Sequence, residues 1–385
     1  MFDFTFYNPT RIHFGKDRMS ALAKEIPADA RVMILYGGGS VVRTGVLDQV
    51  KTILQGRHLS EFGGIEPNPT YETLSKAVEK VKADGTDYLL AVGGGSVIDG
   101  TKYIAAAALM EDDGWCILEN RGRNIQRALP IGVVLTLAAT GSEMNNGGVV
   151  TRAATHDKIG FSSLHCFPRF AVLDPTKTMT LPPRQIGNGV VDAFVHVMEQ
   201  YLTYPVDAKV QDRFAEGLLL TLIEDGPRAL ATPDNYDVRA NLMWTASLAL
   251  NGLIGAGVPQ DWATHMIGHE ITALYGLDHA QTLAIVLPAL LDIRREQKAA
   301  KLLQYAERVW GIHDGSEQEK ITAAIAKTRA FFESLQVKTR LRDYGIDESA
   351  VPAILAQLER HGMTKLGEKR EITLDISEQI VRGCC

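Results

Sequence analysis

Residues 86–110 read TDYLLAVGGGSVIDGTKYIAAAALM. The segment up to Gly93 is apolar without alternation, as in a parallel strand covered on both faces. Three glycines and Ser96 follow, and the chain then takes up helical periodicity. The same succession occurs earlier, in ARVMILYGGGS (30–40), where Gly37, Gly38, Gly39 and Ser40 close the apolar run. ALPIGVVLTLAATGSE (128–143) predicts a third buried strand ending at Thr140, and RFAVLDP (169–175) a fourth. Strands alternating with helices predict a mainly parallel, doubly wound α/β sheet.

Between these runs, TYETLSKAVEKVKADG (70–85) predicts an amphipathic helix capped by Thr70 and closed by Gly85. A helix is expected over 44–54 and a short strand from His58. FDFTFYNPTRIHF (2–14) predicts two short strands that could pair with a second subunit. After TLPPR (180–184) the periodicity becomes helical and stays so, in segments 188–203, 207–224, 237–253, 259–274, 279–295, 297–310, 317–336 and 349–361. Two domains follow: residues 1–180, an α/β dinucleotide-binding domain, and residues 181–385, an all-helical metal-binding catalytic domain, with Pro182-Pro183 as the hinge.

A length of 385 residues suits two domains. The net charge of -6 is mild and unclustered, which argues against a nucleic-acid partner. No run of eighteen apolar residues exists, so no membrane span is expected. MFDFTFYNPTRIHFGKD lacks the pattern of a secretory leader, and the four cysteines fit neither a disulfide framework nor a zinc ribbon. A reducing, cytoplasmic setting is expected. Cys384-Cys385 is expected as a frayed tail.

Glycine turns between a strand and a helix bring backbone N–H groups to a phosphate. Gly94, Gly95 and Ser96 are the strongest candidates, and Asp99 on the first helical turn could meet a ribose hydroxyl or a water. The cluster is neither the G-x-G-x-x-G fingerprint nor a Walker A loop. Three strand ends with such turns form the crevice in which open α/β sheets bind ligands. Gly37 to Ser40 contains no acid for a ribose 2′-hydroxyl, and Arg43 follows, which points to NADP(H) over NAD(H).

Four of the ten histidines lie between Val190 and His279. GVVDAFVHVMEQ (189–200) places Asp192 and His196 four apart, and DWATHMIGHE (261–270) does the same for His265 and His269. On helices each pair shares a face. His279 follows in GLDHAQT (276–282). Burying these groups among apolar neighbours is unfavourable unless something pairs them, and a divalent metal would. A carboxylate with imidazoles suits Fe²⁺ or Zn²⁺ and is poor for Ca²⁺ or Mg²⁺. The other histidines, including His13 and His361, have no partner at useful spacing, and Glu199 and Glu270 read as helix-face charges.

GGGSxxD after a strand, LAATGSE, KIGFSS, LDP with TLPPR, VVDAFVHVMEQ and H-x3-H-x9-H together resemble the iron-containing (group III) alcohol dehydrogenases. GGIEPNPTYETL, the GGGSV cluster at 37–41 and NGLIGAGVPQDWATHMIGHE are similar to the NADPH-dependent aldehyde reductase and butanol dehydrogenase branch. The resemblance implies a dehydroquinate-synthase-like fold. It implies a metal held by Asp192, His196, His265 and His279, and makes His269 a catalytic residue beside the substrate, a choice that spacing leaves open. It further implies cofactor contacts at Gly37, Gly38, Ser40, Asn68, Gly94, Gly95, Ser96, Asp99, Thr136, Thr140 and Lys158. NAD-using members carry Asp where Gly38 aligns.

The activity implied is metal-dependent reduction of short-chain aldehydes to primary alcohols with NADP(H), and the reverse, by a homodimer. The alternatives are a dehydroquinate-synthase-like lyase and a glycerol-dehydrogenase-like polyol oxidation with NAD. The lyase would need a basic pocket, and no Lys/Arg cluster flanks the proposed ligands.

Overall fold

The computed structural model describes residues 1–385 and divides them into two compact units. One comprises Tyr7–Leu181 and Pro233–Ser247; the other comprises Met1–Phe6, Pro182–Thr232 and Leu248–Cys385. The change of texture near residue 180 coincides with the main division, whereas the two short segments have no compositional mark.

The first unit is built on strands β1 (Arg11–Phe14), β2 (Arg31–Tyr36), β3 (His58–Phe62), β4 (Tyr88–Gly93), β5 (Ile131–Leu135) and a later strand, Phe170–Leu173. They form one six-stranded sheet in which every pairing is parallel. From one edge the order is β1, Phe170–Leu173, β5, β4, β2, β3. The pleat explains the unbroken apolar runs. Met33, Leu35, Leu89, Ala91, Val133 and Leu135 enter one core, while Val32, Ile34, Leu90, Val92 and Val134 enter another. Neighbours in sequence point to opposite faces, and both faces are covered.

Helices α1 (Val46–Ile53), α2 (Tyr71–Asp84) and α3 (Gly95–Ala107) connect the strands. Thr70 Oγ accepts from Thr73 N and caps α2, and Gly85 ends it in the left-handed region. The helix expected over 44–54 starts at Val46, because Gly45 takes φ +74° and separates it from a single turn at Ser40–Arg43.

Two features of this unit depart from the sequence reading. Only one strand forms within residues 2–14, and it is an edge of the main sheet, with Arg11 opposite Phe170. An antiparallel hairpin, β6 (Gly147–Arg152) with β7 (Asp157–Ser162), was absent from the expected elements. The Phe170–Leu173 strand is therefore β8. The hairpin lacks a long apolar run because it lies outside the sheet.

The second unit is helical apart from one short antiparallel pair, β9 (Lys365–Leu366) with β10 (Ile372–Thr373), which departs from the all-helical expectation because two-residue strands leave no periodicity to read. Its main elements are α4 (Pro183–Tyr201), α5 (Lys209–Ala231), α7 (Ala263–Tyr275) and α8 (His279–Ile293), with α6 (Tyr236–Ala249) lying in the first unit up to Ser247. They are followed by α9 (Ala299–Arg308), α10 (Glu317–Ser334), α11 (Val351–Arg360) and α12 (Leu374–Gly383). α4 starts five residues earlier than its apolar period suggests, because Pro183 is favoured in a first turn. Cys384 is buried against α8, where Sγ approaches Ile285 O at 3.6 Å, and Leu341 N donates to Cys384 O at 2.8 Å. The terminus is thus anchored and not frayed.

Candidate metal and cofactor sites

In the second unit, α4 carries Asp192 and His196 on one buried face. α7 carries His265 and His269, both buried. Gly276 stops α7 with φ +69°, and Asp278 starts α8 by a capping box with Gln281, so His279 is the first residue of that helix. Short-range turn chemistry thus brings His279 back beside His265 and His269.

The donor atoms of Asp192, His265 and His279 lie within 4.8 Å of one another. Asp192 Oδ1 is 3.7 Å from Nε2 of His196 and 3.7 Å from Nε2 of His279. Donors about 2.1 Å from a tetrahedral ion lie about 3.4 Å apart, close to these separations. The His196 and His265 rings stack with centroids 4.7 Å apart, and His265 and His279 are 5.2 Å apart. His269 is 5.2 Å from His279 and 6.3 Å from His265, and neither it nor His196 belongs to the group of donors within 4.8 Å of one another. Burial, and then the neighbouring His265, hold His196 well below the usual histidine range. One carboxylate with imidazoles from three helices fits a borderline divalent ion.

Glu199, which sequence reading takes for a surface charge, is buried one turn beyond His196. Its Oε2 pairs with His265 Nδ1 and its Oε1 accepts from Thr264 N at 2.6 Å. Burial, then Asp261, push its carboxyl upward, while the backbone N–H groups of Thr264 and His265, and Lys298, pull it back. Glu270 is likewise buried, and its Oε1 meets His361 Nδ1 at 2.7 Å. His13 pairs with Glu25 at 2.8 Å. These partners stand 12, 66 and 91 residues apart, so no local spacing announces them.

In the first unit, Gly37, Gly94, Gly95 and Thr136 follow the carboxyl ends of the adjacent strands β2, β4 and β5. A Cβ on Gly95 would meet Thr140 Cγ2 at 2.4 Å and Oγ1 at 2.5 Å, and one on Gly94 would meet Leu137 Cβ at 3.0 Å. The α3 N-terminus therefore lies tight against the 137–140 loop. A Cβ on Gly38 would meet nothing within 4 Å, and Ser40 starts the turn that follows. Ser96 lies in the first turn of α3. Bare backbone at a helix N-terminus fits a phosphate group.

Asp99 is engaged within the protein: Oδ1 accepts from Ser142 Oγ at 2.6 Å and Oδ2 from Val149 N at 3.0 Å. Lys102 is fully buried, and its Nζ donates to Ser142 Oγ, Asn145 Oδ1 and Gly147 O. Together they fasten the β6–β7 hairpin, whose Lys158 Nζ donates to Asn68 Oδ1 at 2.8 Å. Sequence reading missed Lys102 because a lysine inside a helix resembles a surface residue. A surface cavity of about 620 Å³ sits at the opposite, amino-terminal end of the strands, lined by Arg11, Tyr88 and Arg169 among others, and none of the candidate residues reaches it.

Residues 9–175 match the family model for iron-containing alcohol dehydrogenase, and residues 187–381 match the C-terminal model of the Fe-containing alcohol dehydrogenase family. The chain is 65% identical over 382 residues to the NADPH-dependent aldehyde reductase YqhD of Escherichia coli (strain K12), covering 99% of each. It is 40% identical to the probable NADH-dependent butanol dehydrogenase 1 of Bacillus subtilis (strain 168), covering 94% of this chain and 95% of the other. The structure matches the crystal structure of Escherichia coli K-12 YqhD with a TM-score of 0.99 at 63% identity, over 100% of this chain and 99% of that one. It matches NADH-dependent butanol dehydrogenase A from Thermotoga maritima with a TM-score of 0.96 at 34% identity, over 100% and 99%.

Proposed function

The chain belongs to the iron-containing alcohol dehydrogenase family, and we propose on that footing how its residues serve the reaction. It is an NADP(H)-dependent oxidoreductase that reduces short-chain aldehydes to primary alcohols and runs the reverse reaction. The full-length 65% identity to an aldehyde reductase carries this conclusion. The cluster of buried Asp192 and His265 with half-buried His279 is its chemical counterpart.

Asp192, His196, His265 and His279 would hold one divalent ion, Fe²⁺ or Zn²⁺. When bound, the ion supplies Lewis acidity to a carbonyl oxygen, and NADPH supplies the hydride. The protein's part is to orient and to exclude water. Val191, Phe194, Val195 and Ile267 are buried on the helices that carry the ligands and keep the cluster in an apolar setting. His269, outside the ligand set, would move the proton that the product oxygen takes up, through its ring nitrogen.

Gly37, Gly38, Ser40, Gly94, Gly95 and Ser96 would receive the phosphates of NADPH, with Thr136, Thr140, Asn68 and Lys158 beside them. Asp99 supports that set from behind through Ser142. Gly38 leaves open space and no charge where a 2′-phosphate would repel an acid.

The decisive assay mixes purified protein, NADPH and a short aldehyde and follows nicotinamide absorbance with and without a chelator. Aldehyde-dependent oxidation that the chelator stops is expected. Oxidation unaffected by complete metal removal, or none with any short aldehyde, contradicts the reading.

Assembly as a homodimer is supported by the exposed Met1, Phe2, Phe4 and Phe6, an apolar strip that water disfavours. No helix is long and apolar enough to cross a membrane, and the mild acidity favours neither nucleic acid nor an anionic surface. A cytoplasmic home fits the four free cysteines.

A further inference from the structure

We propose that Glu199 is a positioning residue of the metal centre, fixing which nitrogen of His265 faces the ion. The inference rests on the ligand set proposed above.

Asp192, His196 and Glu199 stand at i, i+4 and i+7 on α4, so one buried helical face carries all three. The Glu199 carboxylate spans to α7 with two bonds, one to His265 Nδ1 and one from Thr264 N. Its own carbonyl accepts from Asp261 N at 2.9 Å. Residues 261–265 are thus tied to Glu199 at three points.

That turn needs the support. Trp262 enters α7 in the left-handed region, φ +65°, with no side-chain cap. Asp261 Oδ1 accepts from Ala263 N and Glu199 Oε1 from Thr264 N, so two acids satisfy the first helical N–H groups. Lys298 Nζ closes the arrangement from behind. It pairs with Asp261 Oδ2 at 2.7 Å and Glu368 Oε1 at 3.0 Å, and donates to Leu202 O at 2.7 Å.

The ionised carboxylate, which the two N–H groups and Lys298 favour against burial, accepts hydrogen bonds and donates none. Facing Nδ1, it selects the His265 tautomer with Nδ1–H and leaves the Nε2 lone pair toward Asp192 and His279. An amide at 199 has one acceptor oxygen for two donors. If the oxygen serves Thr264 N, the amide NH₂ faces Nδ1 and favours the Nε2–H tautomer, which blocks the ligand nitrogen. Glu199→Gln therefore changes donor chemistry while keeping size.

The test is Zn²⁺ affinity of the full-length protein, measured by competition with a chromophoric chelator, beside melting of the metal-free protein. Loss of such a carboxylate partner weakens metal binding by about 10–100-fold, which is expected for Glu199→Ala. Glu199→Gln is expected to weaken binding in the same direction, with metal-free melting near that of the parent. The Co²⁺-loaded Glu199→Gln protein should show altered visible d–d bands, a signature that a purely structural residue would not move.

Affinity of Glu199→Gln within about twofold of the parent, with an unchanged Co²⁺ spectrum, overturns the proposal. If Glu199→Ala does not fold, Glu199→Gln alone decides. His265→Ala is the control. If it binds Zn²⁺ like the parent, the ligand set itself is wrong. If it loses Zn²⁺ while Glu199→Gln keeps it, only the role of Glu199 fails.

Discussion

His196 on α4 stacks on His265 of α7, with ring centroids 4.7 Å apart and 23° between the planes. Two buried imidazoles at that distance disfavour each other's charge, and the cluster they share with Asp192, the buried His269 and the half-buried His279 suits one cation held by neutral rings. An ion bound only by the folded chain adds stability by mass action, about 2.7 kcal/mol at a hundred times Kd. Thermal melting with saturating Zn²⁺ is therefore expected to occur several degrees above melting in chelator. Coincident melting curves would contradict a metal site in this cluster.

Gly38 is the residue proposed to set cofactor choice. The added Cβ meets nothing within 4 Å, so Gly38→Asp fits without rearrangement. Its charge repels a 2′-phosphate and offers an acceptor to a 2′-hydroxyl. The ratio of kcat/KM for NADPH over NADH is expected to fall by about tenfold or more, equal to at least about 1.4 kcal/mol. A ratio that stays the same removes the specificity argument.

Gly95 is required by space. A methyl there would overlap Thr140, whose Cγ2 lies 2.4 Å from the ideal Cβ. Overpacking of this kind destabilises by about 1–3 kcal/mol. Gly95→Ala is expected to lower the unfolding midpoint and weaken NADPH binding together, read by denaturant titration and NADPH fluorescence. Unchanged NADPH affinity would detach the 137–140 loop from the cofactor site.

Lys102 makes stability depend on pH. Burial pulls its pKa from 10.5 to about 8, with Asp99 opposing the shift. Between those values the unfolded chain holds the proton more tightly, so unfolding takes up protons and stability rises with pH. The contribution is present above the unfolded value and lost as pH falls through about 8. Relative to Lys102→Met, the parent should gain stability from pH 8 to pH 10, by at most about 3 kcal/mol at 1.36 kcal/mol per unit. Denaturant midpoints at pH 7.5 and pH 10 check this, and parallel changes in the two proteins would contradict it.

Much of this architecture is legible in the sequence, for physical reasons. The runs ending at Tyr36, Gly93, Leu135 and Leu173 announce strands buried on both faces. The i,i+4 pairs at 192/196 and 265/269 announce two helical faces that can hold an ion. Long-range partners leave no such trace: Glu199 reads as solvated until α7 is placed beside it, and Lys102 until the β6–β7 hairpin is. The hairpin escapes because its strands bury few residues, Gly148 and Val150 in one and Lys158 and Phe161 in the other, two of them without apolar side chains. The strand expected before Pro9 fails for the opposite reason: Phe2, Phe4 and Phe6 have strand chemistry, yet they are exposed and unpaired in any sheet.

The central claim is a single ion held by Asp192, His196, His265 and His279, with His269 beside it but not binding it. Metal content per chain, measured after purification and dialysis for the parent, His265→Ala and His269→Ala, tests it most directly. The account predicts about one divalent ion per chain in the parent and in His269→Ala, and almost none in His265→Ala. Equal metal in all three, or loss in His269→Ala matching that in His265→Ala, would contradict it.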